Sequence, residues 1–161
     1  MHDGIRAAEL FDGVSTDGVE RLAAIGRTLT LRTGECLFML GDSAQSVSVV
    51  TSGLLDLCLP VSFSGVTKDI TVESAGPGKT VGWSALVTPY CFTLSAKAAR
   101  PSEVIAFARP ELLQLFAADP EIERVVLRRV SELMGNRLTT FQALWARELQ
   151  QRVERSADSA G

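Results

Sequence analysis

The residues that could do chemistry are few. The run Gly76-Pro77-Gly78-Lys79-Thr80 ends like a phosphate-binding loop, in which glycine backbone cradles phosphates while lysine and a hydroxyl reach them. Glu73 stands where that motif wants its first glycine, and neither a directly following helix nor a downstream acidic strand end for magnesium is apparent. Nucleotide hydrolysis is therefore not expected, and the run reads as a turn. The single histidine, His2, lies at a terminus expected to fray, so a histidine-based triad has no base inside the fold. Cys36, Cys58 and Cys91 are odd in number and widely spaced, which suggests neither a disulfide framework nor a paired zinc site. They read as structural thiols, and no metal or cofactor is expected. No two carboxylates are brought together by spacing alone, so the chain is not expected to be an enzyme.

These residues must be carried by elements that the pattern makes visible. Ser15–Gly26 opens on the cap-type residues Ser15, Thr16 and Asp17, repeats apolar residues at Val19, Leu22, Ala23 and Ile25, and closes on Gly26. It predicts one short amphipathic helix. From Thr28 to Ala108 the pattern changes to short strand-like runs at 28–32, 35–40, 47–51, 54–59, 67–73, 92–99 and 103–108. Alternation is clearest at 54–59, where Leu55, Leu57 and Leu59 share one face and Asp56 and Cys58 the other. Thr33-Gly34, Gly41-Asp42, Ser52-Gly53, Ser64-Gly65 and Gly76-Pro77-Gly78 read as the turns between runs. Short strands so spaced predict a sandwich, barrel or roll.

Asp119-Pro120-Glu121 marks a helix start, with a cap, proline in the first turn and acids at the positive dipole end. A long helix is predicted over 119–153, interrupted only if Gly135-Asn136 breaks it, with a disordered tail at 156–161. Its apolar residues keep a three-to-four-residue step through Val130, Leu138, Phe141, Leu144, Trp145 and Leu149. A monomer would leave the distal ones exposed, so two copies are expected to pair through this helix; folding back after Gly135 is the other solution. Its mixed charges read as a solvated face rather than a polyanion site.

The chain has 161 residues, 46% hydrophobic and 22% charged, with a net charge of −3. That length suits one globular domain, and the sign of the charge is wrong for a dedicated nucleic-acid binder. No apolar run approaches the roughly 18 residues of a membrane helix, and no secretory signal is visible at the N-terminus, so a cytoplasmic location is expected.

A helix, a glycine-punctuated all-β segment and a long terminal helix acquire a specific meaning from their turns. LeuPheAspGlyValSer at 10–15, Gly34-Glu35, Gly41-Asp42, Ser52-Gly53, Gly78, Gly82-Trp83, Ala96-Lys97-Ala98, Asp119-Pro120 and Arg137-Leu138 follow one another in order. By these landmarks the chain resembles the cyclic-nucleotide-binding domain of the catabolite-activator and kinase-regulatory-subunit superfamily. The resemblance implies a jelly-roll-like β-roll with flanking helices (mainly β, α+β), whose last helix forms a lid and dimer contact. It places a candidate ligand pocket at Gly82, Trp83, Ser84, Phe92, Thr93 and Leu94, and a lid or dimer helix at Arg137, Leu138, Phe141, Leu144, Trp145 and Leu149. In that family a Phe-Gly-Glu motif and an Arg-Ser or Arg-Thr pair bind ribose and cyclic phosphate. Here Trp83 replaces the glutamate, and Phe92, or Cys91 after a one-residue slip, replaces the arginine; Thr93 keeps the neighbouring hydroxyl.

Losing the arginine removes a charged hydrogen bond of about 1.5–3 kcal/mol, so affinity for a cyclic phosphate should fall at least tenfold. Lys79, Lys97 and Arg100 are the bases left to substitute for it. The aromatic residues Trp83, Tyr90 and Phe92 either fill the pocket or line one for a flatter, less charged ligand. The expected function is thus a regulatory ligand-sensing or interaction module acting as a homodimer. A cyclic AMP or cyclic GMP receptor with a non-standard pocket and a ligand-free scaffold for a protein partner are the alternatives. Regulators of this superfamily place a helix-turn-helix domain after the long helix; the sequence ends at Gly161, so direct DNA binding by that route is not expected.

Overall fold

The computed structural model describes residues 1–158. They form two compact units, one covering Met1–Arg129 and the other beginning at Val130.

The first unit opens with α1 (His2–Arg6) and a 3₁₀ turn, Glu9–Phe11, followed by α2 (Thr16–Ile25). His2, expected at a frayed end, lies in α1, which is held down by the fully buried Ile5. The predicted cap is present: Ser15 precedes α2 and its hydroxyl accepts from the Gly18 amide at 3.1 Å. Six strands follow, β1 (Arg27–Leu31), β2 (Cys36–Phe38), β3 (Ser46–Phe63), β4 (Val66–Ala75), β5 (Thr80–Val81) and β6 (Ser95–Ala108). They make one antiparallel sheet in the order β1-β6-β3-β4, with β2 also on β6 and β5 also on β3.

Fewer, longer strands appear than the punctuation predicts. The runs at 47–51 and 54–59 are one strand, and so are 92–99 and 103–108 from Ser95 onward. Ser52-Gly53 is a bend inside β3 and not a turn, because the ladder to β6 carries on through register shifts between Val50 and Leu55. The Ser102 hydroxyl bridges this bend, accepting from the Leu54 amide at 2.9 Å. The alternation read at 54–59 also fails at its end. Leu55 and Leu57 are buried, but Leu59 is exposed and Cys58 buried. Pairing of β3 with β6 stops at Cys58, and beyond it β3 has only β4 beside it, so no second layer covers Leu59.

The inner face of the roll holds Val50, Leu55, Leu57, Ala75, Val81, Leu94, Ala96, Ala98 and Val104. A second helix that the sequence reading passed over, α3 (Arg109–Ala118), follows β6 with Pro110 in its first turn and buries Leu112 and Phe116. The last helix, α4 (Pro120–Asp158), starts where predicted, the Asp119 carboxylate accepting from the amides of Glu121 at 3.2 Å and Ile122 at 3.4 Å. Within the first unit Ile122, Val125 and Val126 are buried, Ile122 lying against Gly18 of α2.

The second unit is the rest of α4. Gly135-Asn136 does not break it, and the hydroxyls of Thr139 and Thr140 donate to the carbonyls of Gly135 and Asn136 at 3.0 Å. Helix also replaces the start of the tail expected to be disordered, since Ser156, Ala157 and Asp158 continue it with no proline or glycine to stop it. Residues 159–161 of that tail lie outside the described residues. Met134, Leu138, Phe141, Leu144, Trp145, Leu149 and Val153 are all exposed, Trp145 by 61%. No described helix is long and apolar enough to cross a membrane.

Candidate functional site

β5 runs into Gly82, whose φ of +75° is left-handed and open to glycine at little cost. A 3₁₀ turn, Trp83–Leu86, follows and buries Ser84 and Ala85. The space over Gly82 is occupied. A Cβ there would lie 3.2 Å from ring atoms of both Phe38 and Phe92 and 3.1 Å from the Ser46 carbonyl. The two rings stack face to face, with centroids 3.9 Å apart and 10° between planes.

Phe92 is fixed by its backbone as well as by its ring. Its amide donates to the Asp42 carbonyl at 3.0 Å, and its carbonyl accepts from Gly41 at 2.8 Å, which ties the segment to the Gly41-Asp42 turn. The structure thus gathers Gly82 and Phe92 with Phe38, a residue the sequence reading did not single out, and buries Ser84 in the turn that Gly82 opens. Leu94 belongs to the buried core of the roll, while Thr93 is exposed and its hydroxyl has no hydrogen bond among the described residues. Trp83 is half-buried. Tyr90, at φ +58°, is 39% exposed and carries the Arg109 guanidinium 4.5 Å above its ring.

The three bases that could stand in for a phosphate arginine are engaged elsewhere. Lys97 alternates with the buried Ala96 and Ala98, so it points away from the core, and its ammonium lies 3.9 Å from Asp69. Arg100 donates to the Gly53 carbonyl at 3.2 Å. Lys79 is paired with Glu9 at 2.9 Å, and the hydrogen bond its ammonium donates to that carboxylate raises its pKa above the ordinary lysine value. From Thr80 to Ala96 the sequence has no charged side chain at all.

Arg137, Leu138, Phe141, Leu144, Trp145 and Leu149 belong to the second unit, where the structure describes them as one helix by itself. The described residues include no cluster of histidine, cysteine and acid suited to a metal ion. Cys36, Cys58 and Cys91 are free thiols; the Cys91 thiol approaches the Gly41 carbonyl at 3.2 Å.

A bent antiparallel roll with a left-handed glycine opening a short 3₁₀ turn, preceded by a helical N-terminal segment, defines a β-roll class of domain. The family model for the cyclic nucleotide-binding domain matches residues 28–119, more than half of the sequence, and the chain belongs to that family. No curated protein matches it. A cyclic nucleotide-binding domain from Methylobacillus flagellatus KT superimposes with a TM-score of 0.75 at 19% identity, over 90% of this chain and 80% of that one. The catabolite activator protein of Thermus thermophilus gives 0.71 at 24% identity, over 86% of this chain and 62% of that one. The regulatory domain of Toxoplasma gondii PKA, solved with cAMP, gives 0.60 at 18% identity, over 73% and 42%. At such identities these likenesses speak for the fold.

Proposed function

We propose that this protein is a cytoplasmic regulatory module, a single domain of the cyclic nucleotide-binding family whose ordinary phosphate and ribose residues are lost, and that it acts as a homodimer. The observation that carries the reading is the Phe38–Phe92 stack over Gly82 at the centre of a segment without charge. A cyclic phosphate brought there would lose its hydration and gain no guanidinium, which a buried anion cannot repay with a lone threonine hydroxyl. The site suits a flat, weakly charged ligand that displaces Phe92, or no ligand.

Output is assigned to the second unit. Seven exposed apolar side chains among the described residues of this part of α4 make an unusual surface for a monomer, and a second copy of the same helix supplies a matching cover. A ligand at the Gly82–Leu94 segment would act by binding one arrangement of the dimer more tightly than another.

The test is a thermal-shift screen against cyclic AMP, cyclic GMP, cyclic dinucleotides and a panel of small metabolites. A ligand at 100 times its Kd stabilises the native state by about 2.7 kcal/mol and moves the melting point by several degrees. No shift is expected with the cyclic mononucleotides. A shift with cyclic AMP that disappears in Thr93→Ala would restore an ordinary receptor in place of this reading. A protein that takes up nothing yet still dimerises is the scaffold alternative.

A further inference from the structure

The glycine-rich turn ahead of β5 resembles a phosphate loop in sequence and is not one in topology, yet the structure finds an anion in it. That anion is Glu9. One of its carboxylate oxygens accepts from the Thr80 amide at 2.9 Å and the other from the Lys79 ammonium at 2.9 Å. A backbone N–H and an ammonium converging on two oxygens of one anion is the arrangement by which glycine-rich turns hold oxyanions. Gly78, at φ +83°, lets the turn come close: a Cβ there would meet the Ala7 carbonyl at 2.9 Å, and the Gly78 carbonyl accepts from the Glu9 amide at 3.0 Å.

Two further observations mark this as more than a surface ion pair. Thr80 is only 4% exposed, and its buried hydroxyl oxygen has no hydrogen-bond partner among the described residues, an unspent group on the residue whose amide holds Glu9. A 390 Å³ cavity opens beside the turn, lined by Arg6, Glu9, Asp12, Pro77, Gly78 and Lys79 among others. Arg6 makes no ion pair among the described residues, whereas Asp12 is engaged by Arg129. Solvent reaches both partners of the contact, since Lys79 is 59% and Glu9 28% exposed. Glu73 also bears on Lys79 and opposes an incoming anion.

We propose that the Gly76–Thr80 turn is an oxyanion seat which Glu9 fills from within, and that a phosphate group competes with Glu9 for the Lys79 ammonium and the Thr80 amide. Arg6 is at hand for the second negative charge of the phosphate. The ligand class is a phosphate monoester or free phosphate, and its binding displaces the Glu9 carboxylate while the backbone of that segment stays held by the buried Leu10 and Phe11. No bond is made or broken. The seat lies outside the Gly82–Leu94 segment and does not depend on what that segment binds.

The test is a titration of the whole chain with sodium phosphate at ionic strength held constant with sodium chloride, read by the amide NMR shifts of Lys79 and Thr80. Saturable shifts are expected in the wild type, with half-saturation at least tenfold lower in Glu9→Gln and no response in Lys79→Met. Shifts no larger than those produced by chloride overturn the proposal, as does a Glu9→Gln protein that binds no more tightly. Should Glu9→Gln fail to fold, the wild type against Lys79→Met decides: a phosphate response that survives loss of the lysine places the anion elsewhere. Shifts confined to Gly82–Leu94 would likewise refute the seat while reviving an anion site in that segment.

Discussion

Leu55 and Leu57 in the roll and Leu144 and Leu149 in α4 are the same kind of side chain with opposite surroundings. The first two are no more than 2% exposed, the others 49% and 44%. Strand residues of the first unit are covered because the bent sheet brings another part of itself over them, the inner residues of β3, β4 and β6 meeting in one core. The second unit is a single helix and has no other layer to offer. An apolar stripe in a sequence therefore announces that a face wants covering, and only the architecture says whether the cover lies in the same chain.

The comparison can be broken most forcefully from the sealed side. Phe92→Ala removes a ring that is 6% exposed and stacked on Phe38, and should cost about 3–5 kcal/mol in urea unfolding with the fold retained. A loss below 1 kcal/mol would mean that the space over Gly82 is loosely filled. From the open side, Trp145→Glu should weaken self-association by about 2 kcal/mol, read by sedimentation equilibrium, with little change in the circular dichroism of the roll. If the wild type sediments as a monomer, the helix face has a different cover.

Smaller effects sharpen the same contrast. Ser15→Ala deletes the cap on α2 and should lower stability by about 1 kcal/mol, whatever the state of association. The smallest effect is the pH dependence of the Lys79–Glu9 pair. The lysine pKa is raised in the folded protein above its ordinary value of 10.5, so its contribution is complete below that value and is lost as pH rises through the folded pKa. The stability difference between wild type and Lys79→Met should stay flat through neutral pH and shrink only in strong alkali, because Lys79 is mostly exposed and the pair is screened.

What the sequence announced was mostly local chemistry. Ser15 and Asp119 cap the helices they were expected to cap, since a short polar side chain before an apolar period has few other uses. Ser52-Gly53 misled because a glycine at φ +86° serves a bend in a continuing strand as well as a turn between two, and what decides is the Ser102 hydroxyl from a distant strand. The candidate site was legible only as a segment. Gly82 and Phe92 could be named through the family resemblance, but Phe38 comes from a strand far away in sequence, and no periodicity records a ring stacked across a roll. Glu9 escaped notice for the same reason, its partners Lys79 and Thr80 lying on the other side of four strands.

The antiparallel ladder that joins Arg27 to Ala106 has one more consequence, and it concerns time. β1 is made early in synthesis and has no partner until β6 emerges, and the Ser46–Val50 end of β3 also waits for β6, with only the short β5 beside it before then. Contacts so far apart in sequence close slowly, and domains dominated by them fold in milliseconds to seconds. Until β6 arrives Val47, Val49 and Val50, fully buried in the finished fold, lack part of their cover, so the nascent chain is expected to be at its most aggregation-prone just before its sixth strand emerges.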